Sequence, residues 1–557
     1  MNGRGLDRLC GLLALVAVAA AAPAATWDGN GNSDNGGSWG IAANWENDNV
    51  PDTSGESAVL GDVTSGTREI TVDASTTVGA LTMTQSTGGA TNKLTLNAQL
   101  VVYSTTGAVF NATAGSIVID KKNQNFMVSR GGSATVTFGP NVTIYSTGGV
   151  IRQDWNGGAL NLNLQGTTYL SGGLTELLHV NRSGDTVTHT GTMDLSSGGG
   201  FFLQNSGCLF VHQGTIAGDG TGVIGKVEEP TKLRVDAGSK ISGLATIGTN
   251  QWDFRGTNPA DFNFTGTTLM HGAKGNTDLE VATNSGANYQ FAKLAFIATS
   301  VSRGSVVKLV DNHDNDPSST DPEHLRVGAF DGTTGGDVQF EMNGLNLVID
   351  NNCTAGWKPI DYGSPRSWLS NSTGSSTIRF LTPGGTMIAG HMDVGITGAA
   401  SLEVIGPTDM KKLRLTLGDG TFRFDGDVAG SHASPSYEGS YIDAVSGTNL
   451  VDLFGHTWTT RVRVRAAAGA DVTLNGQLVN AASNNSSYGL IAAGGGTVTV
   501  TSDYGSADQG GRVQLDSGGT FVLGGHFRPG SWWNGLYGDV PGRMWAVDTS
   551  ASPSVLA

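Results

Sequence analysis

One polar segment holds the densest set of possible ligands in the chain. It reads Asp311-Asn312-His313-Asp314-Asn315-Asp316 and follows the apolar run Leu309-Val310. Calcium takes about six to eight oxygen ligands, and Asp311, Asp314 and Asp316, with Asn312, Asn315 and Asp321 beside them, are candidates to supply them. Without a metal the same residues form an exposed loop between two structural units. A second oxygen-rich stretch, Asp28 to Asp34, has alternate donors but lacks the glycine and the closing glutamate of a calcium loop, so it reads as a solvated Asn/Asp turn. Arg461, Arg463 and Arg465 alternate with Val462 and Val464, which places three guanidinium groups on one face of a strand. Such a face could hold the carboxylates of an acidic polysaccharide. Trp532 and Trp533, with Tyr537 and Trp545 nearby, could stack on sugar rings or cover the end of an apolar core. No His-Glu-x-x-His, Gly-x-Ser-x-Gly or Walker loop occurs. The sequence therefore assigns no catalytic residue and no cofactor other than calcium.

The elements that must position these residues are short strands. Lys93-Leu94-Thr95-Leu96, Ser116-Ile117-Val118-Ile119, Thr135-Val136-Thr137-Phe138 and Asn161-Leu162-Asn163-Leu164 alternate between apolar and polar residues, as do many later runs. That period of two marks half-buried strands, and the Gly, Asn, Asp and Ser between them mark turns. Leu94, Ile117, Val136 and Leu162 stand at steps of 23, 19 and 26 residues. A step of about 20–25 residues suits one coil of a right-handed parallel β-helix, which is the predicted fold. Stacked β-sandwich domains are the alternative reading.

The first segment reads as an export signal. Arg4 and Arg8 precede the apolar run Leu12 to Ala22, and Ala22-Pro23-Ala24 offers small residues for cleavage. The run is too short to span a membrane, so the mature chain carries no transmembrane segment and is expected outside the cell or at its surface. Cys10 leaves with the signal. Cys208 and Cys353 are far apart and read as small buried residues. The net charge is −16, and loss of Arg4, Asp7 and Arg8 makes it −17, which disfavours nucleic acid as a partner. The chain divides into a signal at 1–24, a Trp/Asn-rich N-terminal cap at 25–65, and β-solenoid at 66–285. A polar-loop segment, with a small β insert, occupies 286–352, and solenoid resumes over 353–557 to the Trp-rich end.

Two segments carry a resemblance. The opening Thr26-Trp27-Asp28-Gly29, Trp39, Ala42-Ala43-Asn44-Trp45, Val50-Pro51 and Gly55 to Leu60 resembles secreted bacterial proteins of the autotransporter-associated β-strand-repeat and PEP-CTERM type, of the planctomycete-like kind. Lys308 to Asp316, His324 to Val327 and Met342 to Leu347 are similar to a block in the same proteins. The resemblance implies a surface or matrix protein with a β-solenoid body. Thr549 to Ala557 shows no Pro-Glu-Pro motif, apolar tail or basic end, where that family carries its anchor. Asn276-Thr277-Asp278 matches one tripeptide of pectin-cleaving β-helix hydrolases, but their paired-Asp, Gly-His-Gly-like and Arg-Ile-Lys motifs are missing. The leading expectation is a non-catalytic protein acting in adhesion, matrix or display, with extracellular polysaccharide or cell-surface components as partners. The alternative is a polysaccharide-binding β-helix protein, or a polysaccharide lyase or glycoside hydrolase.

Overall fold

The structure, a computed structural model, describes residues 24–130, most of 133–254, and parts of 267–349, 367–427, 440–479, 489–504, 513–538 and 554–556. Between 251 and 339 it describes strands and their pairing. Among the described residues the only helical turns are two short 3-10 segments, Ala42–Asn44 and Glu46–Asp48. Everything else regular is strand. The described strands lie in three sheets, of 21, 18 and 11 members.

The chain is a β-solenoid. Each circuit adds one strand to the 21-stranded sheet, parallel to the last. Early circuits also contribute two strands to the 18-stranded sheet, as Thr67–Val72 and Thr76–Val78 do before Ala80–Gln85 returns to the long sheet. Later circuits alternate between the long sheet and the 11-stranded one: Ser367–Asn371, Ser375–Phe380, His391–Thr397, Ser401–Ile405. Strands from the polar-loop segment, such as Ser305–Asp311 and Val338–Glu341, pair within the long sheet.

Alternation decides which side chains go inside, and stacking turns them into ladders. Ile70, Leu94, Ile119, Ile144, Thr168, Met193, Ile216 and Ile241 are register partners in sequence, and all are buried. Phe422, Val451, Leu474, Val500 and Leu523 do the same in the 11-stranded sheet. Each aliphatic or aromatic rung contributes about 1.5–3 kcal/mol by leaving water. The steps of 23, 19 and 26 residues need correcting. Ile117 lies in the 18-stranded sheet and Val136 in the 21-stranded one, so their step of 19 joins two faces. Residues bonded across neighbouring coils are 24, 25 and 26 apart at Arg68–Asn92, Thr91–Ser116 and Asn163–Thr137. At such corners Gly149, with φ of 72°, lies so close to the Asn123 backbone that a side chain would collide with it.

The Trp-rich opening forms a plug over the first coil. Trp45 packs edge-on against Trp27 and Trp39, with ring centroids 5.2 and 4.8 Å away. Each indole N–H donates to a carbonyl: Trp27 to Asn35, Trp39 to Pro51 and Trp45 to Trp39. The short strand Ala24–Thr26 covers the edge of Ser57–Leu60. Near the other end, Ser554–Leu556 runs antiparallel to Thr520–Leu523, breaking the parallel ladder. Both devices blunt sheet edges that could otherwise pair with another chain.

With 21 strands in the long sheet at about 4.8 Å spacing, the body should be a rod roughly 100 Å long. Small-angle scattering should give a radius of gyration near ~30 Å, against about 24 Å for a compact globule of this length. A value at the compact end would show the coils folding back.

Lys121 makes a local prediction. It shares the inward parity of Ile117 and Ile119 and is fully buried. Its ammonium donates to the Gln124 and Gly148 carbonyls, and burial pulls its pKa down to about 7. The unfolded lysine binds its proton up to about pH 10.4, so between pH 7 and 10 the unfolded state holds more protons. Stability should therefore rise with pH across that window, by on the order of 4 kcal/mol in full. Urea unfolding of Lys121→Met should be more stable than wild type at pH 7 and should lack that rise. An unchanged slope would show that Lys121 is not the group responsible.

Candidate functional site

The sequence-derived candidates fall unevenly. Asp311 ends the strand Ser305–Asp311, where it pairs with Val281. Its side chain, and all of Asp314 and Asp316, lie outside the described residues, as do Trp532, Trp533 and Arg461. Arg463 and Arg465 lie in the strand Val462–Ala466, on either side of buried Val464, so the alternation places them on the outer face.

Arg463 is already engaged. Its Nη2 donates to Asp443 Oδ2 at 2.6 Å, and its guanidinium lies 5.0 Å from the centre of the Tyr441 ring. Arg414 takes the equivalent place at 5.1 Å, one strand to the other side in register. Tyr441 is thus held between two cations, which stabilise its ring through their charge. Arg465 is exposed and stands opposite Asp443 in register. The Arg face is therefore partly neutralised by its own coil neighbour.

A second cluster escaped the sequence reading. On the 11-stranded sheet, Thr421–Phe424 points Phe422 and Phe424 inward and Arg423 outward, and Asp425 and Asp427 follow. The next coil brings Asp452 opposite Arg423 and His456 opposite the two aspartates. His456 Nε2 is 2.9 Å from Asp425 Oδ1, and its Nδ1 is 3.4 Å from Asp427 Oδ1. Asp427 also accepts the Thr457 N–H, and Asp452 accepts from Asn475 Nδ2 and Phe454 N. The partners are about thirty residues apart in sequence, so only coil stacking unites them. The signal in the sequence was the alternation of Phe422-Arg423-Phe424-Asp425 and of Val451-Asp452-Leu453.

This patch offers a row of carboxylate and amide groups suited to hydroxyl-rich ligands, with a histidine seated between two carboxylates. Among the described residues, no group of His, Cys, Asp and Glu is arranged to hold a metal ion. Tyr145 and Tyr169 are also outward and stack at 4.8 Å with planes 7° apart. Their faces are turned on each other along the solenoid, so they present edges to solvent. Cys208 is buried, as its context implied, and burial with Asp185 nearby pushes its thiol up to about 12. A thiol held protonated is a poor nucleophile. Cys353 lies outside the described residues. Among the described residues no helix is long and apolar enough to cross a membrane.

Compared with known proteins, the chain matches no family model, no curated protein and no solved structure.

Proposed function

We propose that the protein works outside the cell or at its surface as a non-catalytic β-solenoid scaffold, in adhesion, matrix or display. The observation that carries this reading is how its outer charges are spent. Lys93 bridges Glu69 and Asp120 from three successive coils, and Arg463 meets Asp443. Paired across coils, these groups brace a long surface. The export-like opening and the resemblance to secreted β-strand-repeat proteins support the same reading.

A second reading, polysaccharide binding or cleavage, is favoured by the Asp425–His456–Asp427 patch beside Arg423 and Asp452. One experiment separates the two. The purified protein is incubated with a panel of acidic and neutral polysaccharides, and both binding and chain cleavage are measured. The scaffold reading expects no new reducing or unsaturated ends. Cleavage that disappears in His456→Ala would replace it with the enzymatic reading.

A further inference from the structure

The described core holds a pair of histidines that neither reading uses. In the inward ladder Leu60, Met83, Phe110, Phe138, Leu164, His189, His212, Val235, two histidines occupy adjacent rungs among apolar residues. Both are fully buried, and their rings stack at 5.2 Å with planes 8° apart. His189 Nδ1 and His212 Nδ1 are 3.1 Å apart, and His212 Nε2 is 3.0 Å from the Lys240 carbonyl.

Those contacts fix the protons. The Lys240 carbonyl can only accept, so His212 carries its proton on Nε2 and accepts at Nδ1. His189 must then donate from Nδ1. That leaves His189 Nε2 bare, buried and without a hydrogen-bond partner. One more proton can go only to this nitrogen. A further one would set two N–H groups face to face at the short Nδ1 contact, between two stacked cations.

The groups around the pair do not offset this. Leu164 and Val235 flank it along the ladder, and the Thr192 backbone favours charge on His189 but is outweighed by burial and by His212. Asp236 favours charge on His212 but is itself engaged by Arg234 and Gln213. Asp185, at the far end of the His189 strand, accepts the Leu160 N–H and lies near Cys208. Lys240 reaches the pair through its carbonyl. Burial is the larger influence and lowers His189 to about 3 and His212 to about 4.

We propose that His189 and His212 form an acid-operated release point: below about pH 6 they take up protons that the closed coils cannot hold, and the coils carrying them open. The sign follows from linkage. Above the ordinary histidine value of about 6.5 neither state is protonated and the pair is neutral to stability. Between about 6.5 and 4 the opened chain binds two protons that the closed one refuses, so the opening equilibrium grows up to about 100-fold per pH unit, or roughly 1,000-fold by pH 5. The acidic side chains act in a separate window. Asp34, Glu56, Asp62, Glu69, Asp73 and Asp219 are all held below their usual range by hydrogen bonds, so what they contribute is lost only at more acid pH, below about 4.

The test is hydrogen exchange of the full-length protein at pH 7 and pH 5, corrected for the intrinsic pH dependence of exchange. Peptides covering 186–189 and 209–212 should lose about 1,000-fold protection, and those covering 91–96 and 116–122 much less. The double variant His189→Leu, His212→Leu, whose side chains match the ladder's Leu164, should keep its protection at pH 5. Equal acid loss in wild type and variant would overturn the proposal. Should the variant not fold, wild type alone decides: absence of the localised loss, or a histidine NMR titration in which both rings protonate near 6.5 with the fold intact, also overturns it.

Discussion

Arg68→Met should cost the N-terminal coils about 2–4 kcal/mol, because a buried hydrogen-bond acceptor loses its donor at about 1–3 kcal/mol and the tie to the plug is lost with it. Arg68 is fully buried beneath the Trp plug. Its guanidinium donates to Asn92 Oδ1, to the Ser33 carbonyl at 2.6 Å and to the Gly61 carbonyl. Ser33 belongs to the plug segment, so this one side chain ties the plug to the first coils. Burial lowers the guanidinium to about 10, while Asp34 and Asp62 oppose that, and it stays charged at neutral pH. Methionine keeps most of the volume but takes the Arg68 donor from buried Asn92 Oδ1 and from the Ser33 carbonyl, while the Gly61 carbonyl keeps Asn92 Nδ2, and it leaves Asp34 and Asp62 without their cation. Arg68→Lys should fall in between, because an ammonium keeps the charge and loses the fork. Chemical unfolding followed by exchange of residues 24–72 would show it. A loss below about 1 kcal/mol would mean that the plug is held by its tryptophans alone.

Asn449→Ala should cost about 2–3 kcal/mol, and Asn449→Asp more. Asn449 is buried at a turn, and its amide joins three coils. Nδ2 donates to the carbonyls of Ser446, Gly447 and Asp471, and Oδ1 accepts the Gly420 N–H at 2.9 Å. Alanine strands that buried N–H, at about 1–3 kcal/mol, and removes the amide donor shared by the Ser446, Gly447 and Asp471 carbonyls. A carboxylate would also set negative charge against three carbonyls, so the Asp variant should recover stability as pH falls and the side chain protonates. Asn371 repeats the bracket, with Oδ1 on the Gly344 N–H and Nδ2 on the Gly374 and Ser401 carbonyls. Urea unfolding of the two Asn449 variants at pH 7 and pH 4.5 is the measurement. Equal stability of the variants at pH 7 would show that the amide donors contribute little.

Much of this was legible in the chain itself. Alternation gave the strands, because a pleated backbone sends successive side chains to opposite faces. The same parity sends Arg68 inward with Ile70 and Val72, Lys121 with Ile117 and Ile119, and Asn449 with Val451. A recurring step of about 20–25 residues pointed to the solenoid, since a stacked coil must return to the same face within a similar length of chain. Register was not legible. Ile117 and Val136 look like successive rungs and lie on different sheets. His189 meets His212, and His456 meets Asp425 and Asp427, across gaps of 23 and about thirty residues. Parity is set residue by residue along one strand, so sequence fixes it locally. Which residue lies on the next coil depends on the length of every intervening turn, and a change of one residue exchanges inside for outside. Sequence thus decided what each strand would bury, and only the stacked structure decided what each buried polar group would find there.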